Sequence, residues 1–420
     1  MKFSRLALAA ALSGALLLSA CSSSDSSGGS SDPGSDSSGP ITAADVATAL
    51  EYVGGEGGKA DSSLEPFKIG FVNNQGALPS FPEQEKAADA VVDFINSKLG
   101  GVDGHPVELV KCFIQAEEDG QKCAGQLLEA DVPIGNLAVS VYGNATLYKL
   151  IGGKFPTIVT VSTTAPDSNT KDVYALDGGG ISNLFGMVQN AKKFGDNISV
   201  IGSNNPAGKY LMDEVVVPYM KSIGIKPTVN FIADTATTPD YVSALQTSGA
   251  AKSDGIYIIS AGVQGCVGLY DAMKQISLVK PVAAVSGCGN DPMPEKTGGG
   301  PEGWQITGLT TPVFIDSPQA TATKNILKAA GDEAVANVGF ASKGIGDLLS
   351  ITKFARTIGF DKLTPEAFQE QIAAFKGPAW LVPGTIACGT NKTQISLCGN
   401  ASANYEYKDG KWTLLDPYVP

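Results

Sequence analysis

The sequence predicts an α/β protein with two Rossmann-like lobes, each built on a parallel β-sheet. The first observation is length, because residues 66–420 form a stretch longer than one hydrophobic core usually serves. The second is the pattern, since apolar β-rich runs alternate with amphipathic helical stretches through most of that length. This alternation is typical of a parallel sheet covered by helices.

The first lobe is predicted from four strands and the three helices between them. The strands are expected at Phe67–Asn73, Val107–Phe113, Leu137–Tyr142 and Thr157–Val161. The helices are expected at Pro82–Leu99, Gly120–Ala130 and Ala145–Gly152. This order predicts one parallel sheet with crossover helices.

A second series of the same kind follows the glycines Gly178–Gly180, which we interpret as a flexible crossing between the lobes. Its strands are expected at Ile198–Ile201, Thr228–Ile232, Gly255–Ser260 and Val282–Val285. Its helices are expected at Ser182–Phe194, Lys209–Ile223, Asp240–Ala251 and Cys266–Ser277.

The remaining elements are too few for a third domain, so we expect them to complete the two sheets. They are helices near Gln319–Ala330, Gly344–Ile358 and Pro365–Phe375, and short strands around Tyr405–Tyr407 and Trp412–Leu415. We therefore assign lobe 1 to residues 66–180 plus 310–380, and lobe 2 to residues 181–309 plus 381–420.

The N-terminus has the pattern of an export signal. Lys2 and Arg5 precede an apolar run, Leu6–Leu18, which is too short to span a bilayer as a permanent helix. Leu18-Ser19-Ala20-Cys21 resembles the lipobox of bacterial lipoproteins. We predict a signal peptide over residues 1–20, lipidation of Cys21, and attachment to the outer face of the cell membrane.

Residues 21–65 are predicted to form a flexible tether. Ser22–Gly39 is almost entirely Ser, Gly, Asp and Pro, which supplies no apolar surface to offset ordering entropy. A helical turn or two is expected within Thr42–Tyr52, and folded structure is expected to begin near Pro66.

The charge balance argues against nucleic acid as a partner. The chain has 30 basic and 42 acidic residues, a net charge of −12, and no basic cluster. No second long apolar segment follows the signal. We expect a monomer that contacts the membrane only through its lipid.

Six cysteines besides Cys21 lie in close pairs, namely Cys112/Cys123, Cys266/Cys288 and Cys388/Cys398. Fifteen pairings are formally open to six cysteines, and zinc binding is the competing interpretation. The spacings match no Cys-x-x-Cys pattern, so we predict three nearest-neighbour disulfides and an oxidising compartment.

The sequence offers little for catalysis. The only histidine, His105, lies in a predicted turn, so Ser–His–Asp chemistry and most catalytic metal sites lack their imidazole. Gly202–Lys209 superficially resembles a phosphate-binding loop. It has one residue too many between its glycines, and Tyr210 stands where Ser or Thr would bind magnesium. We expect neither an enzyme nor a cofactor.

Several segments resemble the type I periplasmic binding proteins of the leucine/isoleucine/valine-binding family. The similarity is carried by Phe67–Val72, by Ile95-Asn96 with Gly100–Leu109, by Cys112–Leu128, by Val159–Pro166, and by Leu363–Phe368 with Gly377. The lead-in Thr42–Gly58 looks like a subgroup common in actinobacteria. The resemblance implies two lobes joined by a three-segment hinge, a small-molecule ligand between them, and the permease and ATPase subunits of an ABC importer as partners.

In open α/β sheets, ligands bind beyond the carboxyl ends of the strands, where helix N-termini present free N–H groups. On lobe 1 the candidates are Gln75, Phe81, Tyr142, Asn144, Ala145, Thr146, Ser162, Thr163 and Thr164. In the resembled family this helix start, with Ser162 and Thr164, holds the ligand's carboxylate. The alternatives are loop capping by the polar residues and a helix staple by Phe81, which the family uses as an aromatic wall.

On lobe 2 the candidates are Asn204, Asn205, Gln264, Gly289 and Asn290. Here the sequence departs from the amino-acid-binding pattern. Asn204 or Asn205 replaces the expected aromatic residue. The position at which the family has an acid to pair with an ammonium is occupied here by Gly289 or Asn290. Asp291 is close but displaced. We therefore expect a ligand that is not recognised as a zwitterionic amino acid.

The predicted function is capture of a small polar or carboxylated organic molecule between hinged lobes and its delivery to an ABC importer. The alternative is a ligand-sensing receptor domain of the same fold that signals to a partner.

Overall fold

The structure is a computed structural model. It describes residues 40–76, 80–162, 164–204, 208–209, 211–233, 235–259, 263–289, 292–332, 335 and 340–419. The predicted signal peptide, lipidation site Cys21 and first part of the tether lie outside the described residues. So do the predicted ligand-binding residues Thr163, Asn205 and Asn290.

The first sheet contains five parallel strands in the order β2-β1-β3-β4-β5. The strands are β1 (Phe67–Asn74), β2 (Val107–Ile114), β3 (Gly135–Leu137), β4 (Thr157–Val159) and β5 (Val173–Tyr174). The helices that precede or connect them are α1 (Ala43–Val53), α2 (Pro82–Lys98), α3 (Asp119–Glu129), α4 (Asn144–Ile151) and α5 (Ala165–Asn169). The interior strand β1 is buried along almost its whole length, with only Lys68 partly exposed, as expected for a strand covered by helices on both faces.

The second sheet contains seven strands in the order β14-β13-β10-β9-β8-β6-β7. The strands are β6 (Asn197–Ser203), β7 (Lys226–Ile232), β8 (Gly255–Ile258), β9 (Val282–Val285), β10 (Trp304–Gly308), β13 (Ser402–Lys408) and β14 (Lys411–Tyr418). Its helices are α6 (Gly179–Phe194), α7 (Val217–Ser222, after a π-helical turn at Leu211–Val216), α8 (Thr238–Thr247), α9 (Val263–Gln275) and α10 (Pro292–Thr297). Only β13 and β14 run antiparallel to their neighbours.

The late helices complete the first lobe. They are α11 (Pro318–Ala329), α12 (Ala341–Ile358) and α13 (Pro365–Ala373), followed by the hairpin β11 (Lys376–Gly377) and β12 (Ile386–Ala387). Helix α12 is buried around most of its circumference, because α1, α2 and α13 all pack against it. It is the central helix of this lobe.

Each sheet has its own hydrophobic core. The first includes Phe67, Phe94 and Phe354, and the second includes Ile258 and Trp304. The predicted two-lobed α/β fold is therefore confirmed.

The chain crosses between the lobes three times, at residues 175–178, 309–317 and 388–401. The first and third crossings run side by side, since Ala175 N donates to Ser396 O at 2.8 Å and Gly399 N donates to Asp177 O at 2.8 Å. The predicted three-segment hinge is confirmed. The glycines Gly178–Gly180 do not form the whole crossing that the sequence predicts, because Gly179 and Gly180 already belong to the first turn of α6.

The third crossing comes later than the assigned lobe boundary. We predict residues 381–420 for lobe 2, but Leu381, Ile386 and Cys398 pack into the first core. The chain joins the second sheet only at Ser402. The ends of the loop closed by the Cys388–Cys398 disulfide pack into the first lobe, so the lobe boundary lies beyond Cys398.

All three predicted disulfides form: Cys112–Cys123, Cys266–Cys288 and Cys388–Cys398. The third predicted strand is misplaced, because β3 ends at Leu137 and the apolar run beyond it turns into a buried loop. Strand β10 is absent from the prediction, since its short sequence mixes Trp, Gln and Thr.

The tether prediction is wrong for the residues just before Pro66. Helix α1 begins with a capping box between Thr42 and Asp45, and it buries Ala49, Tyr52 and Val53. Folded structure therefore begins more than twenty residues earlier than Pro66. Only a few apolar residues hold this helix against the lobe, and the Gly-rich sequence on either side is typical of a flexible segment. The sequence therefore favours a tether here.

Tyr52 makes the main contacts of α1 with the first lobe. Its ring packs edge-on against Trp380 with centroids 5.4 Å apart, and its hydroxyl lies 2.7 Å from Ser350 Oγ. Asp45 accepts a hydrogen bond from Asn325 Nδ2 at 2.9 Å. Arg356 of α12 donates to the carbonyl oxygen of Gly54 just after the helix. Helix α1 is thus part of the core.

We expect Tyr52→Ala to lower the free energy of unfolding by about 3–5 kcal/mol, because it empties a buried aromatic site. Urea denaturation measures the change. The matched control is Leu64→Ala, which truncates an exposed side chain in the same N-terminal segment. Equal, small effects of the two substitutions would show that α1 is not docked.

Candidate functional site

The carboxyl ends of the first-sheet strands meet the second crossing in a small apolar cluster. Val139 follows β3, Val161 follows β4, and Leu309 follows β10 of the second sheet. These three are buried, and Phe81 and Phe340 pack against them. The cluster joins the loop edges of the two sheets, so it marks the base of the space between the lobes.

The N-terminus of α6 lies directly over the loop that follows β4. A Cβ atom built on Gly180 would be only 3.4 Å from Ser162 O. The first turn of a long second-lobe helix therefore touches a first-lobe loop that the sequence predicts to bind ligand. Its N-terminal N–H groups add partial positive charge to that place, although that of Gly179 already donates to Asp177 Oδ1.

The buried carboxylate of Asp167 organises the two first-lobe loops of the site. Its Oδ1 accepts from Tyr148 Oη at 2.7 Å and from Asn144 Nδ2 at 2.8 Å. Its Oδ2 accepts from Thr164 N at 2.7 Å and from Thr164 Oγ1 at 2.9 Å. One side chain thus fixes both the start of α4 and the loop before α5.

Asp167 and Tyr148 are absent from the residues predicted from the sequence. The signal was present, because Thr164-x-x-Asp167 before a short helix is a capping-box pattern. The pKa of the Tyr148 hydroxyl is raised well above its usual value by burial first and by the Asp167 charge second. Tyr148 therefore stays a hydrogen-bond donor throughout the neutral range.

A second carboxylate, Glu117, stands at the beginning of α4. Gly143 has φ 69°, a left-handed conformation that suits glycine, and its N–H donates to Glu117 Oε2 at 2.8 Å. The first helical amides, those of Asn144, Ala145 and Thr146, follow directly. This end of α4 accommodates an anionic oxygen, and a protein carboxylate already uses one of its donors.

Most of the chain matches one protein family. Residues 66–400 match the family described as periplasmic binding protein. The chain belongs to the periplasmic binding protein family. Among curated protein sequences there is no significant match.

Solved structures of the type I fold agree with this family. An ABC transporter substrate-binding protein from Sphaerobacter thermophilus superposes with a TM-score of 0.68 at 14% identity, covering 84% of this chain and 98% of the other. An ABC transporter solute-binding protein from R. palustris, in complex with 4-hydroxybenzoate, has a TM-score of 0.66 at 16% identity, with 84% and 97% covered. A leucine-binding protein from Thermotoga maritima has a TM-score of 0.60 at 16% identity, with 84% and 99% covered. These relatives are substrate-binding proteins of ABC transporters, not enzymes.

The predicted first-lobe residues of this binding protein fall around the apolar cluster and the Asp167 loops. Phe81 packs on the cluster. Gln75 is held by the protein itself, since its amide accepts from Asn73 Nδ2 at 3.2 Å and donates to Glu85 Oε2 at 2.6 Å. Ser162 Oγ lies 2.6 Å from Ser168 Oγ. Among the α4 positions, Ala145 is exposed, Tyr142 and Thr146 are half-buried, and Asn144 is buried.

The predicted second-lobe residues are less concentrated. Asn204 and Gln264 are exposed. Gly289 is buried under Tyr405, whose hydroxyl donates to Gly289 O at 3.0 Å. A Cβ atom at this glycine would lie 2.5 Å from the Tyr405 ring, so only glycine fits there. The disulfide Cys266–Cys288 fixes the loop immediately before it.

Two further observations concern the described part of the chain. None of its helices is both long and apolar enough to cross a bilayer. No three His, Cys, Asp or Glu side chains gather there as a metal site.

We expect Tyr148→Phe to destabilise the binding protein by about 1.5–3 kcal/mol, because it removes a hydrogen bond to a buried charge. Tyr257→Phe is the control, since the buried Tyr257 hydroxyl has no hydrogen-bond partner among the described residues. That substitution should be neutral or slightly stabilising. Chemical denaturation of both variants measures the difference, and equal effects would contradict the role of Asp167.

Proposed function

We propose that this protein is a lipid-anchored, extracytoplasmic receptor of an ABC importer. It captures a small polar or carboxylated organic molecule between its lobes and delivers the molecule to the permease and ATPase subunits. The observation that carries the proposal is the pair of Asp167-ordered loops, which lies at the strand ends of the first sheet and faces the N-terminus of α6.

The first-lobe groups favour a ligand with at least one anionic or carbonyl oxygen. The first turns of α4 and α6 supply N–H donors, and hydrogen bonds to a charged acceptor are roughly twice as strong as neutral ones. Thr164 contributes differently from the sequence expectation. Its hydroxyl donates to Asp167 and accepts from Asn144 Nδ2 at 3.5 Å, so one lone pair remains to accept from a hydroxyl or N–H of the ligand.

The apolar cluster favours a ligand that also has a flat or aliphatic body. Phe81 and Phe340 offer ring surface beside Val139, Val161 and Leu309. An aromatic or aliphatic acid combines such a body with a carboxylate. The solute-binding protein crystallised with 4-hydroxybenzoate makes an aromatic hydroxy-acid a suitable first test compound.

A zwitterionic amino acid remains disfavoured in this proposal. The described second-lobe positions Asn204, Gln264 and Gly289 carry no acid that would pair with an ammonium. Asp291 lies outside the described residues. Leucine is therefore the informative negative compound, because a leucine-binding protein is among the similar structures.

The lipid anchor is proposed from the leader alone. The short apolar run and the lipobox-like Leu18–Cys21 favour lipidation of Cys21. Globomycin-sensitive processing and metabolic labelling with a palmitate analogue test it. A Cys21→Ala variant that still carries the label would contradict this part.

A thermal-shift screen of metabolites tests the binding function, and it includes 4-hydroxybenzoate, other aromatic and aliphatic acids, their amides, and leucine. A ligand at about a hundred times its Kd adds about 2.7 kcal/mol to stability. We expect acids or polar aromatics to shift Tm and leucine to leave it unchanged. Micromolar binding of leucine by calorimetry would contradict the proposed ligand class.

We expect Thr164→Val to weaken binding of the ligand found in this screen by about 1–3 kcal/mol, or roughly tenfold to a hundredfold. Thr237→Val is a matched control, because Thr237 and Asp240 form the same capping box at α8 of the second lobe. Calorimetry should show unchanged affinity for the control. Equal affinities of wild type and Thr164→Val would place the anchor on another loop.

A further inference from the structure

Three charged side chains, Asp177, Lys343 and Asp347, form a buried cluster next to the candidate site but are not part of it. Lys343 Nζ lies 2.5 Å from Asp347 Oδ1 and 3.4 Å from Asp177 Oδ2. All three side chains are at most 2% exposed. With both carboxylates ionised, the group carries one uncompensated negative charge in the protein interior, which is costly.

The group connects three parts of the binding protein. Asp177 belongs to the first crossing, and its Oδ1 accepts from Gly179 N at 2.6 Å, where φ is 67°. Lys343 and Asp347 belong to α12. Thr160 directly follows β4, two residues before Ser162, and it lies near enough to Asp347 to lower the pKa of that carboxyl. Hinge, central helix and ligand loop therefore meet at one charge cluster.

The other elements packed around Asp347 present neutral groups. From α1, Tyr52 approaches Asp347. Burial is the main reason that the pKa of the Tyr52 hydroxyl is raised to about 12, and the Asp347 charge adds a smaller contribution. From α2, Gln84 lies against the same turn, since a Cβ atom at Gly344 would be 2.8 Å from its Oε1. Asp347 Oδ2 accepts no hydrogen bond from the described residues. Its negative charge is thus incompletely balanced.

We propose that Asp347 is a positioning residue for solute binding, and that uptake of one proton by the Asp177–Lys343–Asp347 cluster tightens the first crossing and the β4 loop. The inference rests on the proposed binding function. When Asp347 is neutral, Lys343 no longer divides its charge between two carboxylates and pairs with Asp177 alone. The crossing residue then has a complete charge partner, and the interior carries no net charge.

The direction of the pH dependence follows from burial. Desolvation raises the pKa of Asp347 to about 6, although the Lys343 charge opposes this. Burial lowers the pKa of Lys343, but the charges of Asp347 and Asp177 outweigh it and the net shift is upward, so the lysine stays charged. A folded-state pKa above the unfolded value stabilises the protein at low pH. That contribution is lost as the pH rises through about 6.

The test compares wild type with Asp347→Asn between pH 7.5 and pH 5. The Asp347 contribution to the folding equilibrium constant of wild type should rise on the order of tenfold over this range, and it should vanish in the variant. Hydrogen exchange, corrected for the intrinsic pH dependence, should slow about threefold or more in residues 157–162 and 175–180 of wild type only. Asp93→Asn is the control, since it removes an exposed acid from α2.

A second variant separates positioning from a general loss of stability. Asp177→Asn removes the same charge from the other end of the cluster, and this charge adds to the effect of burial in raising the pKa of Asp347. Its transition should therefore move below pH 6, with faster exchange at residues 175–180. An unchanged transition in Asp347→Asn, or protection spread evenly over the protein, would overturn the inference.

The binding arm uses 4-hydroxybenzoate as the probe. The Kd of wild type should change by about threefold or more between pH 7.5 and pH 5, and the Kd of Asp347→Asn should follow that of Asp93→Asn. An equal pH dependence of all three would overturn the positioning role. If 4-hydroxybenzoate does not bind, the proposed solute fails, and the exchange data alone decide the inference on Asp347.

Discussion

A buried ionised carboxylate has to be satisfied completely, and Asp167 shows how this requirement shapes the first-lobe site. Among the described residues, its two oxygens accept four hydrogen bonds, from Tyr148, Asn144 and both donors of Thr164. None of these donors can move without leaving a charge uncompensated in the core. The start of α4 and the loop before α5 are therefore held in one arrangement before any solute arrives, and this preorganisation lowers the entropic cost of binding.

The cluster at the hinge follows the opposite rule. Asp177 and Asp347 share one ammonium, and Asp347 Oδ2 receives no hydrogen bond from the described residues. An incompletely satisfied carboxylate takes up a proton more readily, because burial disfavours its charged form. An aspartate thus holds the two binding loops in place at Asp167, whereas the aspartates near the first crossing respond to pH. The number of donors around each carboxylate decides which role it takes.

Much of the fold could be predicted from the sequence because its signals are local. Strands such as β9 are continuous apolar runs, since helices cover both faces of the sheet, and the helices between them are amphipathic. The errors occur where packing overrides local signals. The apolar residues beyond Leu137 lie in a loop where Ala138 packs into the first core and Val139 joins the interlobe cluster, and the strand does not continue there. Helix α1 depends on a few contacts with distant residues, chiefly Trp380 and Ser350.

The candidate site was predictable in location but not in its internal connections. The position of strand ends indicated the α4 start and the β4 loop, because ligands of open α/β sheets bind there. The partners of those loops were not predictable, since Asp167 reaches Asn144 across twenty-three residues and Glu117 reaches Gly143 across twenty-six. At Gly289, no local sequence pattern indicates that Tyr405, more than a hundred residues later, covers the backbone.

Helix α12 links these features to a part of the chain outside the family match. The match begins at residue 66, whereas α1 ends at Val53 and packs against α12 through Tyr52. Two turns earlier on α12, Lys343 contacts the first crossing through Asp177. The same buried helix therefore contacts the N-terminal segment through Ser350 and the first crossing through Lys343. Because α12 is packed on nearly all sides, it holds these two contacts at a fixed spacing within the first lobe.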